Sequence, residues 1–305
     1  MYKQMFTLGA AIGFLLIACP DPSIAQERPT VGSSESLDIA ALKNILGIKG
    51  TEQNGEYKVT VPQNDLQVTV DGFSIIPPMG MATWAAFTPA EGGAVVMGDI
   101  IMKESELGAV QQVLIEKGLT ITGLHRHFVR DTPAVTFMHI GGMGPEKELA
   151  SGVKAVLDRV AELRGGDPAQ AEASSVETTL DTTEIARVLG HKGEMNQGVY
   201  KVTIGRPDVA LMHHGVSVST FMGFNTWAAW QGTRERAAVA GDFVMLDSEV
   251  ASVIEALVKH GIEVVAVHNH MVHEEPRVFF LHYWGTGPAD RLAQGLRAAL
   301  DQTGN

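Results

Sequence analysis

Two segments of the chain carry histidines in the same spacing. The first, "HRHFVRDTPAVTFMH", spans residues 125–139, and the second, "HNHMVHEEPRVFFLH", spans residues 268–282. Each begins with His-x-His and ends with a further histidine, and the counterparts lie 143 positions apart. Because neutral imidazole nitrogens bind transition-metal ions, the spacing predicts metal binding. The predicted ligands are His125, His127 and His139 in the first segment and His268, His270 and His282 in the second.

The register of a β-hairpin decides whether the three histidines of one segment can reach the same ion. Residues i and i+2 of a strand project from one face, so the two members of each His-x-His pair point together. The third histidine lies on the returning strand, and His282 shares the face of His268 in only one of the two hairpin parities, the one that can place it opposite Ala266. The metal hypothesis therefore predicts an Ala266–His282 pairing. A network of hydrogen bonds among structural histidines is the alternative explanation of the pattern.

Charged side chains beside the second triad predict a catalytic role for that copy. Glu274 or Glu275 could act as general base on a metal-activated water, and Arg277 could bind an anionic group of a small-molecule substrate. The structural alternatives are a turn carboxylate that faces solvent and an arginine that only pairs with it. The expected cofactor is a divalent transition metal, with Zn²⁺ favoured over Cu²⁺, Ni²⁺ or Fe²⁺.

These residues leave three hypotheses for the function. The leading one is a zinc-dependent hydrolase acting on an ester, lactone or amide. The second is a non-catalytic periplasmic protein that binds a metal or ligand, and the third is a structural protein of the cell envelope. An open coordination position favours catalysis, whereas saturation by protein ligands favours simple binding.

Two other pairs of residues occur at the same offset. Asp99 and Asp242 each follow a glycine in an apolar run, where they could accept hydrogen bonds from histidine N–H groups or serve as buried caps. Trp84 and Trp227 lie among Met, Ala and aromatic residues. That composition predicts a place in the core for both tryptophans rather than in a wall that stacks on a ligand.

The offset extends over most of the chain. It aligns "LGIKG" with "LGHKG", "YKVT" with "YKVT", "TWAAF" with "TWAAW" and "GMGP" with "GTGP" without a gap. Such agreement over a long stretch indicates a duplicated domain rather than a short solenoid repeat. The predicted units are 37–164 and 180–303, and a polar linker at 165–179 joins them.

Each unit is predicted to be α+β, with a mainly antiparallel sheet covered by helices. Alternating and β-branched runs such as "EYKVTVP" predict strands, and "LDIAALKNILG" predicts a helix that begins at an Asp cap and ends at Gly. The order strand, helix, strand, strand, helix places sheet and helices in separate layers.

Composition limits the partners that the protein can have. The formal net charge is −12, which predicts no binding to nucleic acid or to an anionic membrane surface. Beyond the N-terminus no apolar run reaches the length of a membrane span. A lipid at the N-terminus would then be the only membrane attachment.

The first 25 residues are predicted to be a secretory signal peptide. An early lysine precedes an apolar run. "LIAC" at 16–19 matches a bacterial lipobox that would place a lipid on Cys19, whereas "SIA" at 23–25 offers cleavage after Ala25. We therefore expect an exported protein of the periplasm or cell envelope, either a lipoprotein or soluble.

The combined pattern resembles a known family of bacterial proteins. "LGxKG", "YKVT", "WAAF", "GD", "HxHF" and "FMHIGG", followed by a helix, are similar to the LppY/LpqO family of exported proteins, a domain of unknown function. The resemblance covers both units. "HNHMVHEEPRVFFLH" is close to the family's "HNHF…EEPR…H" segment, and the first unit departs from it at the "EEPR" positions. The resemblance implies export, often as a lipoprotein, and a histidine motif of metal-binding type, but no particular reaction.

Overall fold

The computed structural model describes residues 36–304. The signal-peptide prediction, with its alternatives at Cys19 and Ala25, concerns residues outside this range. Within 36–304, no helix is both long and apolar enough to cross a membrane.

Helices and strands follow one another in nearly the same order in the two repeats. The first repeat contains α1 (Ile39–Leu46), β1 (Thr51–Gln53), β2 (Glu56–Pro62), β3 (Val68–Val70), β4 (Phe73–Ile75), β5 (Ala82–Ala90), β6 (Gly93–Lys103), α2 (Leu107–Glu116), β7 (Thr120–His125), β8 (Val135–Gly144) and α3 (Glu146–Arg164). The second contains α4 (Thr182–Leu189), β9 (Glu194–Asn196), β10 (Val199–Gly205), β11 (Met212–His213), β12 (Val216–Ser217), β13 (Asn225–Gly232), β14 (Ala237–Leu246), α5 (Val250–Lys259), β15 (Glu263–His268), β16 (Glu274–Glu275), β17 (Val278–Gly287) and α6 (Ala289–Leu300).

Each repeat forms one antiparallel six-stranded sheet. The order is β1-β2-β5-β6-β8-β7 in the first and β15-β17-β14-β13-β10-β9 in the second. Small sheets of β3-β4 and of β12-β11-β16 accompany them. The two similar halves of helices and antiparallel sheet confirm the predicted α+β class.

The sequence signals that begin and end the first helix of each repeat act as predicted. The Asp38 carboxylate accepts a hydrogen bond from the Ala41 N–H at 3.0 Å, and Asp181 caps α4 in the same way. Gly47 and Gly190 end these helices at φ of 66° and 78°, a left-handed conformation that glycine adopts without steric cost.

The two faces of each sheet have different roles. In β8, Met138 and Ile140 point to the helices and belong to the apolar core of the first repeat. Side chains alternate between faces along a strand, so Phe137 and His139 point the other way. The second repeat follows the same rule, because Leu281 and Tyr283 of β17 join its helix-side core. The histidines therefore lie on the sheet face that the repeat's own helices leave uncovered.

These uncovered faces bring the two repeats into contact. A buried apolar cluster contains residues of both, including Phe137 and Trp284. The Thr122 hydroxyl on edge strand β7 donates to the backbone oxygen of His270 at 2.8 Å. At Gly123 a Cβ would lie 2.3 Å from the backbone oxygen of Asn269, so no side chain fits there. The histidine-bearing strand ends of the repeats are consequently packed against each other.

The runs "TWAAF" and "TWAAW" form central strands, β5 and β13, that the sequence analysis assigned only to the core. Both strands pair on either side with neighbours of the main sheet. Their alanine- and tryptophan-rich sequence lacks the alternation of a half-exposed strand, because both faces are covered.

Candidate metal centre

Strand register places one row of side chains across each sheet. In the first repeat, Trp84 pairs with Asp99 and Asp99 pairs with His139. The equivalent row in the second repeat is Trp227, Asp242 and His282. Directly paired residues of neighbouring strands project from the same face, so tryptophan, aspartate and histidine line up.

The predicted register of the histidine hairpin is confirmed. His282 lies opposite Ala266, and His139 lies opposite Gly123 at the equivalent position. Both hairpins contain a local register shift on the edge strand, between Ile121 and Gly123 in the first repeat and between Val264 and Ala266 in the second. The strand ends at the first histidine of each His-x-His pair, and the second histidine stands on the loop that follows.

The six histidines converge on one place between the repeats. The His125 and His268 rings stack with their centroids 3.8 Å apart. The centroid of His127 lies 3.6 Å from that of His282, and the centroid of His139 lies 3.9 Å from that of His270. Exchanging the repeats converts the His127–His282 contact into the His139–His270 contact. The cluster therefore has an approximate two-fold axis, which passes through the His125–His268 stack. The six histidines thus form one shared cluster, with half of its members from each repeat.

Four of these histidines could hold a metal ion. One ring nitrogen from each of His125, His139, His268 and His282 lies within 4.8 Å of the others. Two come from each repeat. Four imidazoles around one point match the tetrahedral coordination that Zn²⁺ adopts in proteins.

The hydrogen bonding of the cluster fits a metal better than a structural network. Of the twelve ring nitrogens, eleven are buried without a hydrogen-bond partner among residues 36–304. A buried polar atom left unpaired costs about 1–3 kcal/mol, so the eleven would together cost as much as the roughly 5–15 kcal/mol by which a domain is stable. The remaining nitrogen, His282 Nδ1, lies 3.1 Å from the Gly241 oxygen. That contact leaves Nε2 of His282 available to a metal.

Burial keeps the imidazoles neutral, which is the form that binds metals. It lowers the pKa of His125 and of His270 to about 3. Burial, and to a smaller extent the neighbouring histidines, also holds the pKa of His127 and His139 well below the usual value. At neutral pH the cluster therefore offers lone pairs rather than positive charge.

Two buried aspartates lie beside the histidines. Asp99 Oδ2 is 3.5 Å from His127 Nε2 and Asp99 Oδ1 is 3.7 Å from His139 Nδ1. Asp242 Oδ2 is 3.8 Å from His282 Nε2. Burial raises the pKa of Asp99 to about 8 and that of Asp242 well above its usual range. These carboxylates lie just beyond normal hydrogen-bond distance of the imidazoles, near enough to influence how the rings are oriented.

The cluster forms one wall of a cavity of about 480 Å³. Its lining repeats at the 143-residue offset, because Lys58, Trp84 and Gly80 have Lys201, Trp227 and Gly223 as counterparts. The lining also includes Thr60, Asp99, His127, His139, Thr203, Phe221, Asn225, Asp242, His270 and His282. Trp84 stacks on His270 with ring centroids 5.6 Å apart. Both tryptophans thus help to form the cavity wall, a role that their apolar sequence surroundings did not predict.

Two glycines allow loops of each repeat to reach the tryptophan of the other. A Cβ on Gly80 would lie 2.9 Å from the Trp227 ring, and one on Gly223 would lie 3.0 Å from the Trp84 ring and 3.1 Å from His270 Nε2. Both glycines have φ near 100°, at 104° and 101°, which other residues rarely adopt.

The predicted catalytic residues do not line this cavity. Glu274 is buried, pairs with Arg277 at 3.3 Å and accepts from the Val278 N–H at 3.5 Å. Glu275 is exposed in β16, and Arg277 also donates to the Asn269 side chain at 3.2 Å. In the first repeat Asp131 likewise accepts from the Val135 N–H, at 2.9 Å. The buried carboxylate thus stabilises the loop that carries the second histidine.

The cavity's lysines and glycines were not among the predicted site residues. Lys58 and Lys201 belong to the matched "YKVT" runs, and Gly80 and Gly223 precede the matched tryptophans. The repetition of these residues in both units was a signal of shared function, but their place opposite the histidines depends on how the repeats pack.

Comparison with protein families gives one match in two copies. The family described as Domain of Unknown Function (DUF1259) matches residues 40–159 and again residues 183–302. A search of curated proteins gives no match.

Solved structures give distant similarity only. The fused permuted hexameric shell protein MSM0275 from the RMM microcompartment is 13% identical, and the match covers 80% of this chain and 94% of that chain with a TM-score of 0.21. EtuB from Clostridium kluyveri is 9% identical, with 84% and 89% covered and a TM-score of 0.20.

Proposed function

This chain belongs to the DUF1259 family and carries its domain twice, and we propose that it is a metal-dependent hydrolase with one centre shared by its two repeats. The observation that carries the proposal is the convergence of six histidines whose buried ring nitrogens lack hydrogen-bond partners within the described part of the chain. The adjoining cavity supplies room for a substrate beside the metal. A site for the metal alone would need no such space.

The ion that we propose is Zn²⁺. His125, His139, His268 and His282 would hold it, because neutral imidazoles suit this ion and four of them match its tetrahedral preference. When bound, the metal would polarise a carbonyl or phosphoryl oxygen and lower the pKa of a water. His127 and His270 flank the set and could replace a ligand during binding of a substrate.

We assign supporting roles to the carboxylates that face the cavity. Asp99 and Asp242 would hold the imidazoles in orientation and accept a proton from an attacking water. Both lie within 4 Å of histidine ring nitrogens. Glu274, Glu275 and Arg277 remain predicted catalytic residues without a place in the cavity wall, so we propose the aspartates ahead of them.

A non-catalytic metal-binding protein is the second candidate. The four-histidine set favours it, because four protein ligands can saturate a Zn²⁺ ion and leave no open position. The two candidates differ in whether the bound metal exchanges a ligand with small molecules that enter the cavity.

Export to the periplasm or cell envelope is also part of the proposal. It is supported by the predicted signal at residues 1–25 and by the resemblance to the LppY/LpqO family. Lipidation at Cys19 and cleavage after Ala25 predict different mature masses. Intact-mass measurement of the processed protein distinguishes these products, and an unprocessed chain would contradict export.

Elemental analysis of untagged protein, purified without chelator, tests the metal centre. We expect about one equivalent of a divalent transition metal per chain, as a single shared tetrahedral site requires. Metal-loaded protein is then assayed on carboxylic and phosphoric esters, lactones and amides, with chelated and reloaded protein as controls. Hydrolysis that is lost on chelation and restored by Zn²⁺ supports the enzyme. Full metal occupancy without hydrolysis supports the binding protein, and failure to bind or regain metal contradicts both.

A further inference from the structure

We infer that Lys58 and Lys201 form an oxyanion-binding pair facing the histidine cluster, so that the ligand of the cavity carries a phosphate or carboxylate group. This inference rests on the proposed function, because the anion would occupy the cavity that the histidines line. It adds the chemical class of the ligand and two residues that would hold it.

The two lysines occupy equivalent positions in the repeats. Both line the cavity, on strands β2 and β10. The Lys58 ammonium lies 3.9 Å from the centroid of the Trp84 ring, and the Lys201 ammonium lies 4.2 Å from that of Trp227. Contact of an ammonium with an indole face is attractive. Each tryptophan therefore holds the lysine of its own repeat at the cavity wall.

Neither ammonium is neutralised by a neighbouring carboxylate. Within residues 36–304 neither makes a salt bridge, and Lys58 donates only to the backbone oxygen of Phe221, at 3.1 Å. Glu56, whose charge acts on Lys58, accepts instead from the Ser219 hydroxyl at 2.6 Å. Buried cations are usually paired. The absence of such pairs leaves both lysines available to an anion from outside the chain.

The charges around the cavity favour an anion as well. Burial lowers the pKa of both lysines to about 8, and for Lys58 the charge of Lys201 adds to the effect. Both ammonium groups line the same cavity from equivalent strands, so an oxyanion bound between them would offset two positive charges at once. A divalent metal at the histidines would add further positive charge. The Thr60 and Thr203 hydroxyls on the same strands could donate to the anion.

Calorimetric titration of the full chain with inorganic phosphate and, separately, with acetate tests the inference. We expect one anion per chain to bind metal-loaded protein. Lys58→Met and Lys201→Met should each weaken binding about ten- to a hundredfold, because a charge-assisted hydrogen bond contributes about 1.5–3 kcal/mol. Metal content should not change. Lys117→Met, at an exposed helix end, is the matched control and should bind like the parent.

The outcomes separate this inference from the proposed function. If metal binds but both lysine variants bind anions as the parent does, the lysine pair is refuted and the metal centre stands. If the protein binds no metal, the same titrations are carried out on metal-free protein. Anion binding that depends on the lysines still supports the lysine pair. Anion binding that does not depend on them, or no anion binding, refutes the pair. Circular dichroism checks that each variant is folded. Preference for phosphate over acetate identifies a phosphate-bearing ligand, and the reverse identifies a carboxylate.

Discussion

The two repeats agree where they face each other and differ in the loops behind their histidines. On the facing side, the same histidines, aspartate, lysine and tryptophan recur at one offset and meet around one axis. In the loops behind the histidines, Arg130 of the first repeat forms salt bridges with Asp71 and with Glu263 of the second repeat. The second repeat has His273 and His214 where the first has Arg130 and Asp71, with ring centroids 6.4 Å apart. This contrast indicates that the shared centre restricts the facing residues, whereas the loops only need to support them.

A second difference concerns a buried guanidinium that both repeats require. In the first repeat Arg164, at the end of α3, pairs with Glu106 and bonds to Gln63. In the second, Arg206 stands at the position of Gln63 and pairs with Glu249, the counterpart of Glu106. Carboxylates at equivalent positions of the two repeats are therefore neutralised by arginines from different parts of the chain.

The largest expected effect is on stability when these arginines are removed. Arg164→Met and Arg206→Met should each lower the free energy of unfolding by about 3–5 kcal/mol, because each breaks an ion pair whose guanidinium is buried and leaves the carboxylate of Glu106 or Glu249 without that partner. Denaturant unfolding checks the loss. Arg187→Met, which removes a surface salt bridge, should cost about 0–1 kcal/mol. A large loss from only one of the buried arginines would show that the two arrangements are not equivalent.

Removal of the metal should have an effect of similar size. With free Zn²⁺ at a thousand times its Kd, bound metal would add about 4 kcal/mol to stability. Unfolding at pH 7 with Zn²⁺ and after chelation measures this difference. Equal stability of both forms would contradict a metal bound within the fold.

Lower pH should destabilise the metal-free protein. Burial lowers the pKa of His125 and His270 to about 3, whereas histidines of an unfolded chain titrate near about 6.5. Between these values the unfolded state binds more protons, so stability is present above about pH 6.5 and is lost as the pH falls toward 3. Asp99 and Asp242 act in the opposite direction, because burial raises their pKa, but the histidines outnumber them. Unfolding of chelated protein between pH 7 and 4 checks the sign, and a gain in stability would contradict it.

A smaller effect is expected where the repeats approach most closely. Gly223→Ala places a methyl group 3.0 Å from the Trp84 ring and 3.1 Å from His270, which should cost about 1–3 kcal/mol beyond backbone strain and weaken metal binding. Gly55→Ala is the control, because Gly55 also has a positive φ, of 83°, but nothing lies within 4 Å of a Cβ there. Thermal unfolding and metal titration compare the two variants. Equal metal affinity in both would show that the glycine contact does not position the cluster.

The smallest effect is expected at the carboxylate first predicted to be catalytic. Glu274→Gln should keep its metal and change any hydrolytic rate by only about threefold, well below the 10²–10⁴ expected for a lost general base. The reason is that Glu274 pairs with Arg277 and accepts from the Val278 N–H, outside the cavity lining. Asp131→Asn is the matched change in the first repeat. Steady-state kinetics of both variants test this, and a loss of a hundredfold or more at Glu274 would restore its catalytic role.

Much of one repeat could be predicted from sequence, because local patterns determine it. The Asp38 and Gly47 signals bounded a helix, and of the two hairpin registers left open by the sequence the structure has the one that metal binding by all three histidines required. The union of two triads into one cluster could not be predicted. It depends on the uncovered faces of two sheets meeting, and no spacing within one repeat encodes that contact. Glu274 shows the same limit, since proximity in sequence to His270 did not bring its carboxylate into the cavity wall.

Metal content of matched single-histidine variants tests the shared centre most directly. His125→Ala and His268→Ala remove equivalent rings, one from each repeat, that stack at the centre of the cluster. We predict that each variant alone falls from one equivalent of metal to below about a tenth, since either loss removes a ligand from the same ion. His191→Ala, outside the cluster, should keep the full equivalent. If each cluster variant instead keeps metal at about half the parent's content, the repeats bind metal independently and the shared centre is wrong.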